Sequence, residues 1–351
     1  MSHGIVKPFD RLFSTEGSEW HGYSEHVETI GETEADIVSF PILESPCFFC
    51  NPVTGKFQSI ANRKTLVADL SHRDDLPEDD RFLPLHNPKD GYKPIENKAI
   101  FNALISAIQG FDVKITSMGT LESCGKFFIS CNIGNDVISA PRDEKILGNL
   151  CLTTSHDGTM AFEAYDSTVR IVCMNTLRWS RSAAGEVGFK IYHTKNSGDQ
   201  ISKFPELLSA VLSGRQRLSG VFAYLYDIEC DIEKARAIAL GYLNSMNSEN
   251  SKNAVSTRSA NAADEIANLF KNGKGNQGKT LYDLLNGATE YWTSGDGTGK
   301  DNSDPLKKFY KAQFGMAAEH KENFIKVLSN PDMVESLLET GRRLLASRGI
   351  S

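Results

Sequence analysis

The sequence predicts an α+β fold, with antiparallel hairpins packed against helices and a mostly α-helical C-terminal half. Three observations carry that reading. Ile100, Leu104, Ile105 and Ile108 form one helical stripe. Two hairpin signatures lie between residues 113 and 164. Beyond about residue 203, apolar residues recur at helical spacing through most of the remaining chain.

Taken in order, residues 40–60 read as a short hairpin. Cys47-Phe48-Phe49-Cys50 forms one arm, Asn51-Pro52-Val53-Thr54-Gly55 the turn, and Lys56–Ile60 the return. A helix is expected over 97–109, with Asn97 as its cap. Strands are expected next at about Val113–Leu121 and Lys126–Ile133, joined at Ser123-Cys124-Gly125. In the second, Phe127, Ile129, Cys131 and Ile133 alternate onto one face and Phe128, Ser130 and Asn132 onto the other. Leu150–Thr154 and Met160–Ala164 form another hairpin around His156-Asp157-Gly158-Thr159, because Asp-Gly suits a tight reversal. The next stretch fits two periods equally. Val169, Ile171 and Cys173 suit a strand, while Val169, Val172, Cys173, Thr176 and Leu177 suit a helix. Asp166 or Ser167 as a cap weighs toward a helix starting near residue 167. Apolar stripes then predict helices over Phe204–Leu212, Leu218–Cys230, Ile232–Ser245, Ala262–Phe270, Leu281–Trp292 and Leu306–Ser329. Asn247–Asn253 and Ser294–Asp304 read as surface loops.

The 351 residues divide on this reading into a variable acidic region with a hairpin (1–60), an α+β core (61–202) and a helical region (203–351). Composition is that of a globular protein, 40% hydrophobic and 24% charged, which speaks against a disordered or fibrous chain. No run of 18 or more apolar residues suggests a membrane span, and the first twenty residues lack a signal-peptide core, so a cytoplasmic location is expected. Seven cysteines at irregular spacing fit reduced thiols. Net charge is −7, which argues against coating duplex DNA by charge alone. Residues 1–100 hold 10 basic and 17 acidic residues, so the whole excess lies there, leaving 28 of each sign beyond. Glu25–Asp36 and Asp74–Asp80 carry much of it and read as solvated acidic surface.

Several motifs invite a chemical reading. Gly273-Lys274-Gly275-Asn276-Gln277-Gly278-Lys279-Thr280 matches the phosphate-loop pattern letter for letter. That mechanism needs a buried strand before the loop, whereas Ala262–Lys271 has a helical stripe with Ile266, Leu269 and Phe270 on one face. A helix–helix loop is therefore expected there, with no cofactor. Cys47 and Cys50 make half a zinc site at most, and no metal is expected. Ser155-His156-Asp157 cannot form a triad, because adjacent residues in a tight turn do not reach one another. No catalytic residue is assigned. What remains is basic: Arg170, Arg178 and Arg181, with Trp179 among them and Lys126 and Lys190 as neighbours. On a helix the three arginines would fall within roughly 80° of one another, a face suited to phosphate contacts with base stacking.

Longer segments add to this. The run SHDGTMAFEAYDSTVRIVCMNTLRWS, with YKPIENKAIFNAL, SCGKFFISCNI, GKTLYDLLNGATEYW and QFGMAAEHKENFIKVL, resembles the phage/plasmid-like protein family called domain of unknown function 932. The resemblance runs from about residue 60 to 330, with its segments in the family's order. It implies a gene carried by phages or plasmids and brings no established activity. The order helix–hairpin–hairpin–helix is similar, by analogy, to the core of RecT/Redβ-type annealing proteins. The expectation is a protein that binds single-stranded DNA, assists annealing in recombination, and forms a homo-oligomer without a membrane. The alternative is a self-assembling structural or interaction protein of a mobile element.

Overall fold

The computed structural model describes residues 8–16, 24–109, 112–170, 175–179, 189–204, 218–246, 256–294 and 316–347. They fall into two compact units. One comprises Met1–Asn135, Asn149–Tyr165 and Gly188–Leu212; the other comprises Asp136–Gly148, Asp166–Val187 and Ser213–Ser351.

In chain order the strands are β1 (Leu12–Ser14), β2 (Glu25–His26), β3 (Ile42–Cys50), β4 (Phe57–Asp69), β5 (Phe82–His86), β6 (Val113–Leu121), β7 (Lys126–Ser139), β8 (Lys145–Ser155), β9 (Phe162–Arg170), β10 (Asn175–Trp179) and β11 (Phe189–Ile191). One sheet has the order β10-β9-β8-β7-β6-β1-β2, with β11 also on β9; the other is the antiparallel β3-β4-β5. Helices α1 (Glu32–Val38), α2 (Asn97–Ala107) and the short α3 (Ser197–Ile201) belong to the first unit.

The expected alternation on β7 is present: Phe127, Ile129 and Cys131 enter a core with Ile100, Phe101 and Leu104 of α2. Phe128 and Ser130, on the other face, are buried as well. The turn from β6 to β7 is unusual, since Glu122, Ser123 and Cys124 all have left-handed φ, between 57° and 60°. That conformation costs a side-chain-bearing residue roughly 1–2 kcal/mol. The buried Asp10 carboxylate offsets it by accepting from Ser123 N (3.0 Å) and Cys124 N (2.7 Å). Asn97, expected to cap α2, does not: the capping position is Glu96, without a side-chain hydrogen bond. The Asn97 side chain instead turns into the core and donates to Val38 O at 2.8 Å.

The β3–β4 hairpin lies where the sequence places it, with Gly55 left-handed at its turn (φ 67°). Its register shifts between Pro46 and Phe48, and Asn62 opposite is left-handed (φ 60°). Such a bulge bends a strand and re-aims the residues beyond it. Toward the body Leu66 and Ala68 are fully buried; toward the tip nearly every residue is exposed.

The second unit is built on helices: α4 (residues 218–227), α5 (Ile232–Ser245), α6 (Thr257–Asn272), α7 (Leu281–Ser294), α8 (Met316–Leu328) and α9 (Pro331–Ala346). Asp231 caps α5 through Lys234 N at 2.7 Å, and Ser256 caps α6 through Ser259 N at 3.0 Å. Their apolar stripes meet around Ile238, Phe270, Tyr282, Leu285 and Phe324. The expected helices over 232–245, 262–270 and 281–292 are present, and that over 306–329 is seen from Met316 onward. Phe204–Leu212 lies outside the described residues apart from Phe204. Helix α9 is not among the expected elements, although Asn330 caps it and Pro331 suits its first turn.

Helices α5 and α9 approach at paired glycines. A β-carbon on Gly341 would collide with the backbone of Ala237, and one on Gly241 with that of Leu337. Alanine would raise helix propensity by about 1 kcal/mol, but overpacking costs roughly 1–3 kcal/mol, and here the obstacle is backbone. Gly341→Ala should therefore lower stability by about 1 kcal/mol or more. A urea midpoint equal to or above that of the wild type would contradict this packing.

Candidate functional site

Where it is described, the run expected to carry the basic face is strand and not helix. Residues 166–170 and 175–179 pair as antiparallel strands, with Arg170 opposite Asn175, Arg178 opposite Ser167 and Trp179 opposite Asp166. The cause is visible in the sequence: Thr168, Val169 and Thr176 are β-branched, and such residues favour extended backbone. A cap at Asp166 or Ser167 could not outweigh that density together with an available ladder. The two-residue period also changes the grouping. Arg170 and Trp179 occupy one phase of the ladder and Arg178 the other, so the helical clustering does not hold. Arg181 lies outside the described residues. Lys126 and Lys190 belong to the first unit, the hairpin residues to the second. Lys126 Nζ lies 3.1 Å from Asp157 and 3.5 Å from Glu122. Lys190 Nζ lies 2.8 Å from Glu163, its cross-strand partner, and 5.4 Å from the Tyr192 ring centre. Both lysines thus have carboxylate partners.

The phosphate-loop pattern has a clear structural reading. Gly273–Thr280 joins α6 to α7, so a helix precedes it, as the stripe predicts. Gly275 and Gly278 are left-handed (φ 74° and 66°), and backbone amides do converge on an anion. That anion is the chain's own Asp283. Its carboxylate accepts from Gln277 N (3.1 Å), Lys279 N (3.0 Å), Thr280 N (3.2 Å) and Thr280 Oγ1 (3.3 Å). Arg142 completes the set, with Nη2 2.8 Å from Asp283 Oδ1 and Nη1 donating to Gly275 O at 3.0 Å. Asp283 is fully buried. The nest that would hold a phosphate is filled from within. Sequence reasoning misses Arg142 and Asp283, although Thr280-x-x-Asp283 carries a capping-box spacing that signals the carboxylate's role.

The Ser155-His156-Asp157 turn also resolves without catalysis. Ser155 Oγ donates to Met160 O at 3.0 Å, and Asp157 accepts from Thr159 N at 2.9 Å. His156 is fully buried and meets Asn97, with Nε2 2.7 Å from Oδ1. Because Asn97 Nδ2 is committed to Val38 O, its Oδ1 faces the ring, and His156 must donate from Nε2. Burial holds His156 neutral, its pKa pushed down to about 3. Nearby, Tyr92 stacks on His193 with ring centres 4.9 Å apart, and His193 Nε2 lies 3.3 Å from Thr154 Oγ1. These groups bind one another. In the second unit Lys321 is fully buried, pushed down to about 7 by desolvation, with Nζ 3.4 Å from Thr293 Oγ1.

Cys47 is buried and Cys50 exposed, three positions apart on β3, where they face opposite sides and cannot share a metal. Among the described residues no group of three or more His, Cys, Asp or Glu could hold a metal ion. No helix among them is long and apolar enough to cross a membrane.

Fold and site together define an α+β protein whose conspicuous motifs serve its own folding. The chain belongs to the family described as Domain of unknown function (DUF932), whose model matches residues 84–313. The match covers the resembling segments up to the start of α8 and stops before that helix. No curated protein and no solved structure matches the chain.

The filled nest and the buried ring can each be tested. Asp283→Asn leaves Arg142 partly unpaired and should cost about 3–5 kcal/mol, the range for breaking a buried pair; calorimetry on the wild type should detect no ATP binding. For His156 the unfolded ring titrates at 6.5 and the folded ring at about 3, so the unfolded state binds more protons as pH falls between these values. Stability present above pH 6.5 is lost on acidification. Between about pH 7 and 4.5 the wild type should lose ~3 kcal/mol more than His156→Asn, read from urea unfolding; parallel losses would refute the buried neutral ring.

Proposed function

We propose that this protein binds single-stranded DNA without catalysis, through the β9–β10 hairpin and the segment after it, and assists strand annealing in the DNA metabolism of a phage or plasmid. One observation carries the reading. Residues 167–185, STVRIVCMNTLRWSRSAAG, hold Arg170, Arg178, Arg181 and Trp179 and no carboxylate, in a chain of net charge −7. Strand β10 ends the sheet order, so the described part of this run includes a sheet margin. Guanidinium groups suit phosphates, and an indole suits base stacking of any sequence. Filling of the Gly273–Thr280 nest by Asp283 favours a mechanism without nucleotide hydrolysis. The support comes from the charge pattern of the run and its place at the margin, since the helix expected there is replaced by strands.

A second reading, self-assembly as the main activity, is favoured by the exposed β3–β4 hairpin. Light scattering with and without oligonucleotide separates the two, because assembly indifferent to DNA favours self-association.

For binding, the salt dependence is decisive. Three phosphates neutralised on a single strand give a slope of log Kobs against log salt of about −2. Fluorescence anisotropy on a labelled oligonucleotide should show that slope, and Arg178→Glu with Arg181→Glu should weaken binding and bring the slope above about −1. Unchanged binding by the double variant would remove these residues from the interface.

A further inference from the structure

We propose that the distal β3–β4 hairpin is an interface with a second copy of this chain, joined edge to edge through β3 about a two-fold axis. This rests on the hairpin alone and is independent of nucleic-acid binding. Beyond the bulge at Pro46/Phe48 the two strands leave the body as an arm, with Phe48 opposite Ser59, Phe49 opposite Gln58 and Cys50 opposite Phe57. Along it Phe48, Phe49, Val53 and Phe57 are 54%, 44%, 91% and 77% exposed. A ring offers ~200 Å² when fully exposed, so the three phenylalanines alone show about 350 Å² of apolar surface. Phe49 lies on the face opposite Phe48 and Phe57, so both sides of the arm carry exposed apolar surface. Phe48, Cys50 and Phe57 share one face, since directly paired residues lie on the same side of an antiparallel ladder.

Charge narrows the occupant. Ser45–Asn62 contains a single charged residue, Lys56, too little for a nucleic acid and too little to recognise an acidic partner. Two copies of such a segment meet without like-charge repulsion, although the first hundred residues carry the entire excess of −7. Area points the same way. One copy's rings fall well short of the ~1,000 Å² that a specific interface needs, so a partner must bring a comparable uncharged apolar patch of its own, and a second copy does. Strand β3 ends its sheet, and a strand edge is self-complementary under a two-fold axis, which closes the assembly. Pro46 interrupts the edge nearer the body, so pairing is confined to the tip, residues 47–50, where the exposed rings are.

The test uses the full chain without oligonucleotide. Light scattering after gel filtration should give twice the 38.7 kDa chain mass at micromolar concentration. Phe48→Ser with Phe57→Ser should halve that mass while leaving the far-UV circular-dichroism spectrum unchanged, because neither ring belongs to the chain's own core. Cys50, exposed on the same face, provides a second readout. A short bis-maleimide should link wild-type chains covalently, and the link should vanish in Cys50→Ser and in the double phenylalanine variant. A monomer at every concentration, or an assembly whose mass survives the phenylalanine substitutions, would overturn the proposal. So would a dimer in which Cys50 gives no cross-link.

Discussion

A carboxylate shut away from water must find its hydrogen bonds inside the protein, and Asp283 finds five. The donors are Gln277 N, Lys279 N, Thr280 N, Thr280 Oγ1 and Arg142 Nη2. They come from the α6–α7 loop, the start of α7 and the short turn at Pro141–Asp143, so one side chain fixes three segments. Neighbouring contacts extend the pin. Cys230 N donates to Lys279 O at 2.8 Å and Leu281 N to Ile228 O at 3.0 Å, which ties the loop to the end of α4. Tyr282, beside the carboxylate, donates to Glu144 Oε2 at 2.9 Å. Arg142 itself is left-handed (φ 65°). Its bonds to Asp283 and Gly275 O, with the Tyr226 ring 5.2 Å away, hold a conformation that a non-glycine residue seldom keeps.

The first unit uses the same physics with different groups. Asp10 steadies a β6–β7 turn of three consecutive left-handed residues, and Asn97 holds His156 against the core. In each place a buried polar side chain fixes backbone or a ring that apolar packing alone would leave free to shift. A group so used must find most of its hydrogen bonds inside the protein, since an unpaired polar atom in a low dielectric costs more than its bond contributes. The same requirement applies to the groups that look most reactive. The phosphate-loop amides, the Ser-His-Asp turn and Lys126 have all been taken up by intramolecular partners.

Much of this fold is legible in the sequence because the signals are local. The alternation of Phe127, Ile129 and Cys131, the Asp157-Gly158 reversal and the stripes of α5, α6 and α7 each reside within one element. The failures are of another kind. Residues 166–179 satisfy both periods, and the outcome depends on a strand available for pairing, which no window of sequence contains. Asn97 has a capping residue's chemistry but faces His156, 59 positions away, so its role is tertiary. Helix α9 escapes notice because its stripe of Val334, Leu337, Leu338 and Leu344 is diluted by charged neighbours and interrupted by Gly341, the residue its packing on α5 requires. Arg142 and Asp283 are 141 positions apart. Only the Thr280-x-x-Asp283 spacing hints that the glycine-rich loop already has its anion.

The distribution of charge then bears on what this protein can contact. An excess of −7 spread evenly would repel a nucleic acid everywhere, but it is confined to the first hundred residues. Beyond residue 100 the signs balance, so a run with three arginines and no carboxylate stands out in the sequence. Residues 167–185 are such a run. The chain therefore separates two segments by chemistry alone. One is a basic, aromatic run suited to a polyanion; the other is an almost uncharged aromatic arm that a polyanion has no reason to touch. An arm of that kind gains most from an equally uncharged partner, and a second copy of itself is the one partner guaranteed to be present at the same concentration.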